Sequence, residues 1–216
     1  NIKKLDLGFL IILFLGIATS LVLGSRIILF LLNNYTPYFL AFFVGLILAS
    51  TKIIYNDIIN HKLKNILFGF IGISIGLILL FLNLNLKPNY FFIFFGGFLG
   101  ISAMFLPGIS GSFILFILGL YNFMLNVLKN LKENLDYLFF FGIGAVLGAF
   151  TISRLISYLF KKDKCKTLYF LLGLVIGSLG IPIKQIYYSL KITPISLVFV
   201  TLSFLIGLMI VIAISS

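Results

Sequence analysis

Apolar residues fill this chain in long runs, and its informative positions are the places where polar or helix-breaking residues interrupt them. The runs are Leu7–Leu32, Pro37–Thr51, Asn65–Leu82, Tyr90–Leu106, Phe113–Leu128, Tyr137–Phe160, Thr167–Ile183 and Pro194–Ile214. A helix needs about 20 residues to cross the hydrocarbon core of a bilayer, with wide scatter. The pattern therefore predicts an all-α, polytopic membrane protein. Leu7–Leu32 is long enough to tilt or to project beyond the core. No soluble domain or low-complexity linker separates the runs, so 1–216 reads as one transmembrane domain.

One interruption differs from the others. Pro107-Gly108-Ile109-Ser110-Gly111-Ser112 lies between two apolar runs with no loop-like stretch around it. Helix breakers inside a hydrophobic stretch free backbone N–H and C=O groups that lipid cannot satisfy. Transporters place such broken helices at membrane depth to build substrate sites. Pro107 cannot donate an N–H, Gly108 and Gly111 allow backbone angles closed to other residues, and Ser110 or Ser112 can cap a following helix. The N–H groups at the start of that helix, with the positive end of its dipole behind them, suit a phosphate or carboxylate. A Pro kink between ordinary spans is the plainer reading, but it needs neither the second Gly nor the two Ser. Residues 90–128 are thus expected to form a broken or re-entrant hairpin.

Composition fixes the class and removes rivals. The 216 residues are 62% hydrophobic and 10% charged, and the mean hydropathy is +1.24, more apolar surface than a soluble domain can bury. The formal charge of +11 would point to nucleic acid in a soluble chain. Here most lysines sit in short loops between runs, where positive charge sets topology, so no nucleic-acid role is expected. One Cys, Cys165, and one His, His61, leave no disulfide, cysteine cluster or multi-histidine metal site to be expected. No cofactor is implied.

The chain repeats itself at a shift of 128 residues. Gly24–Ser50 aligns without gaps on Ile152–Ser178 with nine identities in 27 positions, among them Ser25/Ser153, Arg26/Arg154, Phe42/Phe170, Gly45/Gly173 and Ser50/Ser178. Gly16/Gly144 keeps the same offset. Three full spans and the broken pair lie between one copy and the next, and the pair adds either no crossing or two. The total is odd, so the copies are expected to be inverted across the membrane. Loop charge agrees: Asn33-Asn34-Tyr35-Thr36-Pro37 is uncharged, and its counterpart Lys161-Lys162-Asp163-Lys164-Cys165 is basic. Nine lysines (3, 4, 52, 62, 64, 161, 162, 164, 166) fall on the side of the chain start and five (87, 129, 132, 184, 191) on the other. The first side is expected to be cytoplasmic. Residues 1–86 then form a first repeat without its upstream hairpin, and 87–216 a second that contains one.

Arg26 and Arg154 are the two arginines, both inside apolar runs. Each lies close enough to its run's end to snorkel to the headgroups. Alternatively each faces the interior and binds a phosphate bidentately, one near each mouth of an inverted pair. The acidic residues Asp6, Asp57, Glu133, Asp136 and Asp163 all fall in loops or at edges, which argues against a buried proton relay or a two-carboxylate hydrolase within these residues. Ser110 and Ser112 have no sequence-adjacent base, so no catalytic residue is assigned. The small-residue pairs Gly72/Gly76, Gly96/Gly100, Gly144/Gly148 and Gly173/Gly177 read as helix-packing devices. Tyr90, Tyr121, Tyr137, Tyr169 and Tyr187-Tyr188 read as interfacial anchors.

The stretch Ile101-Ser102-Ala103-Met104-Phe105-Leu106 leading into Pro107–Ser112, followed by Leu118-Gly119-Leu120-Tyr121, resembles the second signature of the domain-of-unknown-function 368 family, which is associated with polyprenyl-phosphate transporters. The Ser-Arg helix and the run Leu168–Ser178 resemble it too. The resemblance implies translocation of undecaprenyl phosphate, recycled from the outer to the cytoplasmic leaflet of a cytoplasmic (inner) membrane. It also implies an earlier Pro-Gly signature, which the repeat would place upstream of Asn1.

The expected function is therefore a lipid-phosphate transporter, or flippase, of the cell envelope. Its phosphate would sit at Pro107, Gly108, Ile109, Ser110, Gly111 and Ser112, with Arg154, Arg26 or both assisting. Its partners are a polyprenyl-phosphate lipid and membrane lipids, with self-association into a homo-oligomer left open. The alternatives are a small-anion channel or carrier and a membrane-embedded enzyme acting on prenyl phosphates.

Overall fold

A computed structural model describes residues 7–131, 133–190 and 193–215. Lys3, Lys4, Asp6, Lys132 and Lys191, which entered the charge arguments, lie outside the described residues. Of the described residues, 84% are helical. Among the described residues, four helical stretches are long and apolar enough to cross a bilayer: Arg26–Asn56, Leu135–Lys162, Lys164–Ser189 and Pro194–Ile214.

The first helix, α1 (Leu7–Asn56), covers two expected spans. The anticipated polar turn at Asn33–Pro37 is a one-residue kink, with Tyr35 leaving helical geometry at φ −134°, ψ 30°. Pro37 sits just past this kink, where its missing N–H costs least. The counterpart junction behaves alike. Helix α6 (Leu135–Lys162) and helix α7 (Lys164–Ser178) are separated only by Asp163, at φ −159°, ψ 91°. Asp163 caps α7 by accepting a hydrogen bond from the Lys166 N–H at 3.1 Å.

Helix α2 (Leu63–Leu79) has 17 residues, the short end of the spanning range. Helix α3 (Tyr90–Met104) starts at an Asn89 cap that accepts from the Phe92 N–H at 2.7 Å. Beyond the Pro107 break come α4 (Gly111–Leu118) and α5 (Tyr121–Lys129), bent 108° from one another. The single apolar run Phe113–Leu128 is therefore two helices. Gly119 makes the corner at φ +77°, a left-handed conformation that only glycine adopts cheaply. Helix α8 (Gly180–Ser189) continues α7, and α9 (Pro194–Ser215) closes the chain.

Glycine contacts give the packing. A Cβ on Gly45 would strike the carbonyl oxygen of Phe204, and one on Gly207 that of Phe42, which locks α1 onto α9. A Cβ on Gly173 would strike the Gly69 oxygen, and one on Gly72 that of Phe170, which locks α7 onto α2. Gly45 and Gly173 stand 128 residues apart, as do Phe42 and Phe170; their partners Phe204/Gly69 and Gly207/Gly72 stand 135 apart. The same two contacts thus occur twice, once between α1 and α9 and once between α7 and α2. Such backbone-to-backbone approach is how helices gain dispersion energy in lipid, where no hydrophobic force drives them together.

The third pair, α3 with α6, positions the break. Tyr90 donates to the Asp136 carboxylate at 2.5 Å, and further along Ser102 donates to the Gly148 carbonyl at 3.4 Å. Both links join residues 46 apart, so the two helices run parallel from a common end. Fifteen residues of α3 advance about 22 Å at 1.5 Å per residue. The chain then turns back. The last turn of α4 meets the segment that precedes α3, with the Leu84 and Leu86 N–H groups donating to the Ile117 and Leu118 carbonyls at 2.8 and 2.9 Å. Those bonds satisfy carbonyls left open at a helix C-terminus. The chain therefore doubles back as a hairpin with its tip at 105–110, and Tyr90 at the start of α3 and Phe123 in α5 both pack on Tyr137, which brings 90–123 back to its starting level.

Candidate functional site

The tip is built by three local devices. Phe105 and Leu106 N–H groups donate to the Ser102 and Ala103 carbonyls at 3.3 and 2.9 Å, which closes α3. Gly108 then takes φ +86°. Ser110 caps α4, its Oγ accepting from the Phe113 N–H at 3.4 Å and lying 2.7 Å from Ser112 Oγ. The Ile114 N–H donates to the Ser110 carbonyl at 3.1 Å, so α4 proper begins directly after the cap. Gly111 is buried against α3, where a Cβ would stand 2.6 Å from the Gly100 oxygen. Pro107, Gly108, Ser110 and Ser112 are exposed.

Two amides at the start of α4 remain. Among the described residues, no backbone or side-chain acceptor engages the N–H of Gly111 or Ser112. These are the first orphan donors of a helix N-terminus, and the helix dipole makes their surroundings attractive to an anion.

The tip rests on α7. A Cβ on Gly108 would stand 2.5 Å from Ser178 Oγ and 3.0 Å from Val175 Cα. Ser178 is buried and donates to the Val175 carbonyl at 2.8 Å. It lies 14 residues from Lys164 and 11 from Ser189, the ends of one continuous candidate span, or about 21 and 16 Å at 1.5 Å per residue. The break is thus held deep between the two ends of α7–α8. The sequence does not place Ser178 in the site; its signals are the match with Ser50 in the repeat and its place at the end of the run Leu168–Ser178.

The arginines are not drawn into this tip. Arg26 and Arg154 are exposed on α1 and α6, and no ion pair or hydrogen bond joins either to 107–112 among the described residues. Arg154 does share an i, i+4 stripe of α6 with Tyr158 and Lys162. Lys162 Nζ lies over the Tyr158 ring, 5.6 Å from its centroid.

That stripe leads to a groove of about 560 Å³ between α2, the end of α6 and the start of α7. Phe68, Ile71, Leu159 and Phe170 give it apolar walls, and Lys162, Asp163 and Lys166 stand at its mouth. Lys166 pairs with Asp163 at 2.6 Å, which holds the Asp163 carboxyl below the usual carboxylate range. Beside the groove, His61 Nδ1 lies 2.7 Å from the Tyr169 hydroxyl, and the His61 ring stacks on Tyr55. Tyr169 is therefore a buried residue, 6% exposed, and not the interfacial anchor that its place near a run end suggested.

A family described as undecaprenyl phosphate translocase-like matches residues 1–194. A Vibrio cholerae protein named polyprenyl-phosphate transporter is 38% identical over 172 residues, which cover 79% of this chain and 55% of that protein. The chain thus spans about half the length of that relative. A Staphylococcus aureus protein of the same name is 28% identical over 218 residues, 93% of this chain and 77% of its own length. No solved structure matches.

Proposed function

The chain belongs to the undecaprenyl phosphate translocase-like family, and from that premise we propose that it carries a polyprenyl-phosphate lipid between membrane leaflets, binding the phosphate at the tip of the α3–α4 hairpin. The observation that carries this reading is the pair of unengaged amides at Gly111 and Ser112, on a hairpin tip whose Gly108 is held against Ser178 and Val175 of α7. A bare phosphate in hydrocarbon is very costly. Two oriented N–H groups, the Ser110 and Ser112 hydroxyls and a helix dipole offset that cost without a metal or a buried acid. The prenyl chain stays in lipid while the phosphate is exposed to each leaflet in turn. The membrane is the cytoplasmic one, and the lysine-rich loops face the cytoplasm.

The recurring contacts of Gly45 and Gly173, and of Gly207 and Gly72, support an inverted duplication, because a hairpin that returns to its starting level adds no crossing. Arg154 extends the phosphate's path from the tip towards Lys162 along one stripe of α6. Arg26 occupies the equivalent position in the first copy.

The test is transport in liposomes, read as the accessibility of polyprenyl phosphate in each leaflet over time, with inorganic phosphate measured alongside. Acceleration without phosphate release is the expected result. Equal rates in protein-free liposomes overturn the reading, and release of inorganic phosphate replaces it with an enzyme.

A further inference from the structure

The mouth of the groove between α2, α6 and α7 carries two ammonium groups and one carboxylate over largely apolar walls, in which the one hydroxyl, that of Thr167, is spent on the Asp163 carbonyl at 2.9 Å. Asp163 engages Lys166, and Lys162 has no ion-pair partner among the described residues. The walls open outward: Phe68 is 40% exposed, Ile71 48% and Leu159 37%. A volume of about 560 Å³ lies within the range of small-ligand sites, about 300–1,000 Å³. Charged mouth and lipid-facing apolar slot together fit an amphiphile with an anionic head and a hydrocarbon tail.

We propose that this groove is a second binding station for the lipid phosphate, with the phosphomonoester at Lys162 and Lys166 and the first part of the isoprenoid chain against Phe68, Ile71, Leu159 and Phe170. The inference rests on the reading that the protein handles a lipid phosphate, and it adds a site distinct from the hairpin tip. A phosphomonoester carries about −1.5 to −2 charges at neutral pH, so it recruits both lysines and competes with Asp163 for Lys166. A phosphodiester lipid, with a single charge, has less claim on that second lysine. Both stations lie along α7. Phe170 and Ser178 are eight residues apart on that helix, about 12 Å at 1.5 Å per residue. The groove lies towards the end bearing Lys161, Lys162, Lys164 and Lys166, so it is where the headgroup is held at the cytoplasmic face before release or after capture.

The chain has no tryptophan, so Phe68→Trp gives a single fluorescent reporter in the groove wall. The protein is reconstituted in phosphatidylcholine liposomes and titrated with farnesyl monophosphate, farnesol, inorganic phosphate or phosphatidylglycerol. A saturable change with farnesyl monophosphate alone is expected, and Lys162→Gln/Lys166→Gln should raise its half-saturation by about tenfold or more, as loss of charge-assisted contacts requires. Equal half-saturation in the double variant overturns the proposal. So does an equal response to farnesol or to phosphatidylglycerol. If the double variant does not fold, the comparison of farnesyl monophosphate with farnesol on the lysine-bearing protein still decides. The two readings fail separately: groove binding that persists without leaflet transport sinks the transport function, and transport with a charge-blind groove sinks the second station.

Discussion

Gly108 stands so close to Ser178 that a single added methyl group would lie 2.5 Å from the serine oxygen, and its backbone is at φ +86°. The tip of the hairpin is thereby pinned to the end of α7, midway along the continuous span α7–α8, by the absence of a side chain. Gly108→Ala meets both obstacles at once. The left-handed conformation costs an alanine about 1–2 kcal/mol, and the contact forces the tip off α7. Leaflet transport should fall by about tenfold or more, while insertion and helix content by circular dichroism stay unchanged. Wild-type transport in this variant would detach the tip from the function.

Ser110 separates the structural role of the cap from the chemical role of the site. Asp is as good an N-cap as Ser, whereas Ala costs about 0.5–2 kcal/mol. Ser110→Asp should therefore keep thermal stability within about 1 kcal/mol but place a carboxylate at the proposed phosphate site. Transport should drop steeply in Ser110→Asp and persist in Ser110→Asn. Equal activity in both variants would mean that no anion visits the start of α4.

Arg154 is exposed on α6, on the stripe that ends at Lys162. Arg154→Ala should slow transport and leave the protein inserted, with Arg154→Lys intermediate because an ammonium cannot bind a phosphate as a fork. Unchanged transport in the alanine variant would reduce the residue to a snorkelling cation.

Asp163 gives a pH dependence whose sign follows from its partner. The Lys166 ammonium lowers the folded-state pKa of the carboxyl. Its contribution to stability is present above the ordinary aspartate pKa, about 3.9, and is lost as pH falls through the lowered folded value. The pair is exposed, so the effect is small. Asp163→Asn keeps an oxygen to cap α7 and removes the charge, so its thermal melts should depend less on pH than wild type across the acid range. Parallel pH profiles would show the ion pair to be idle.

The membrane class, the spans after residue 130 and the Pro107 break were legible because lipid enforces long apolar runs and punishes freed backbone. The α6 and α7 boundaries follow from the charged cluster at 161–166. The corner at Gly119 was not legible. One glycine in an apolar run reads as a packing device, and only the bonds from Leu84 and Leu86 to the end of α4 show why the chain turns there. The 33–37 segment departs from its sequence for the opposite reason: three polar residues and a proline suggest a turn, yet the helix absorbs them with one irregular residue, Tyr35. Asp163, which stands 128 residues further on, also leaves helical geometry, but at φ −159°, ψ 91° it separates two helices where Tyr35 only kinks one. Ser178 and the lysine-rimmed groove depend on residues brought together from distant runs, which no local pattern encodes.

A phosphate seated on the amides at the start of α4 is open to phosphorus–nitrogen dipolar recoupling by solid-state NMR, on protein in liposomes with isotope-labelled amide nitrogens and bound polyprenyl phosphate. The Gly111 and Ser112 amides should dephase at hydrogen-bonding range, and Ser110→Asp should abolish the effect. Undephased Gly111 and Ser112 signals in a sample that demonstrably holds the lipid would place the phosphate elsewhere.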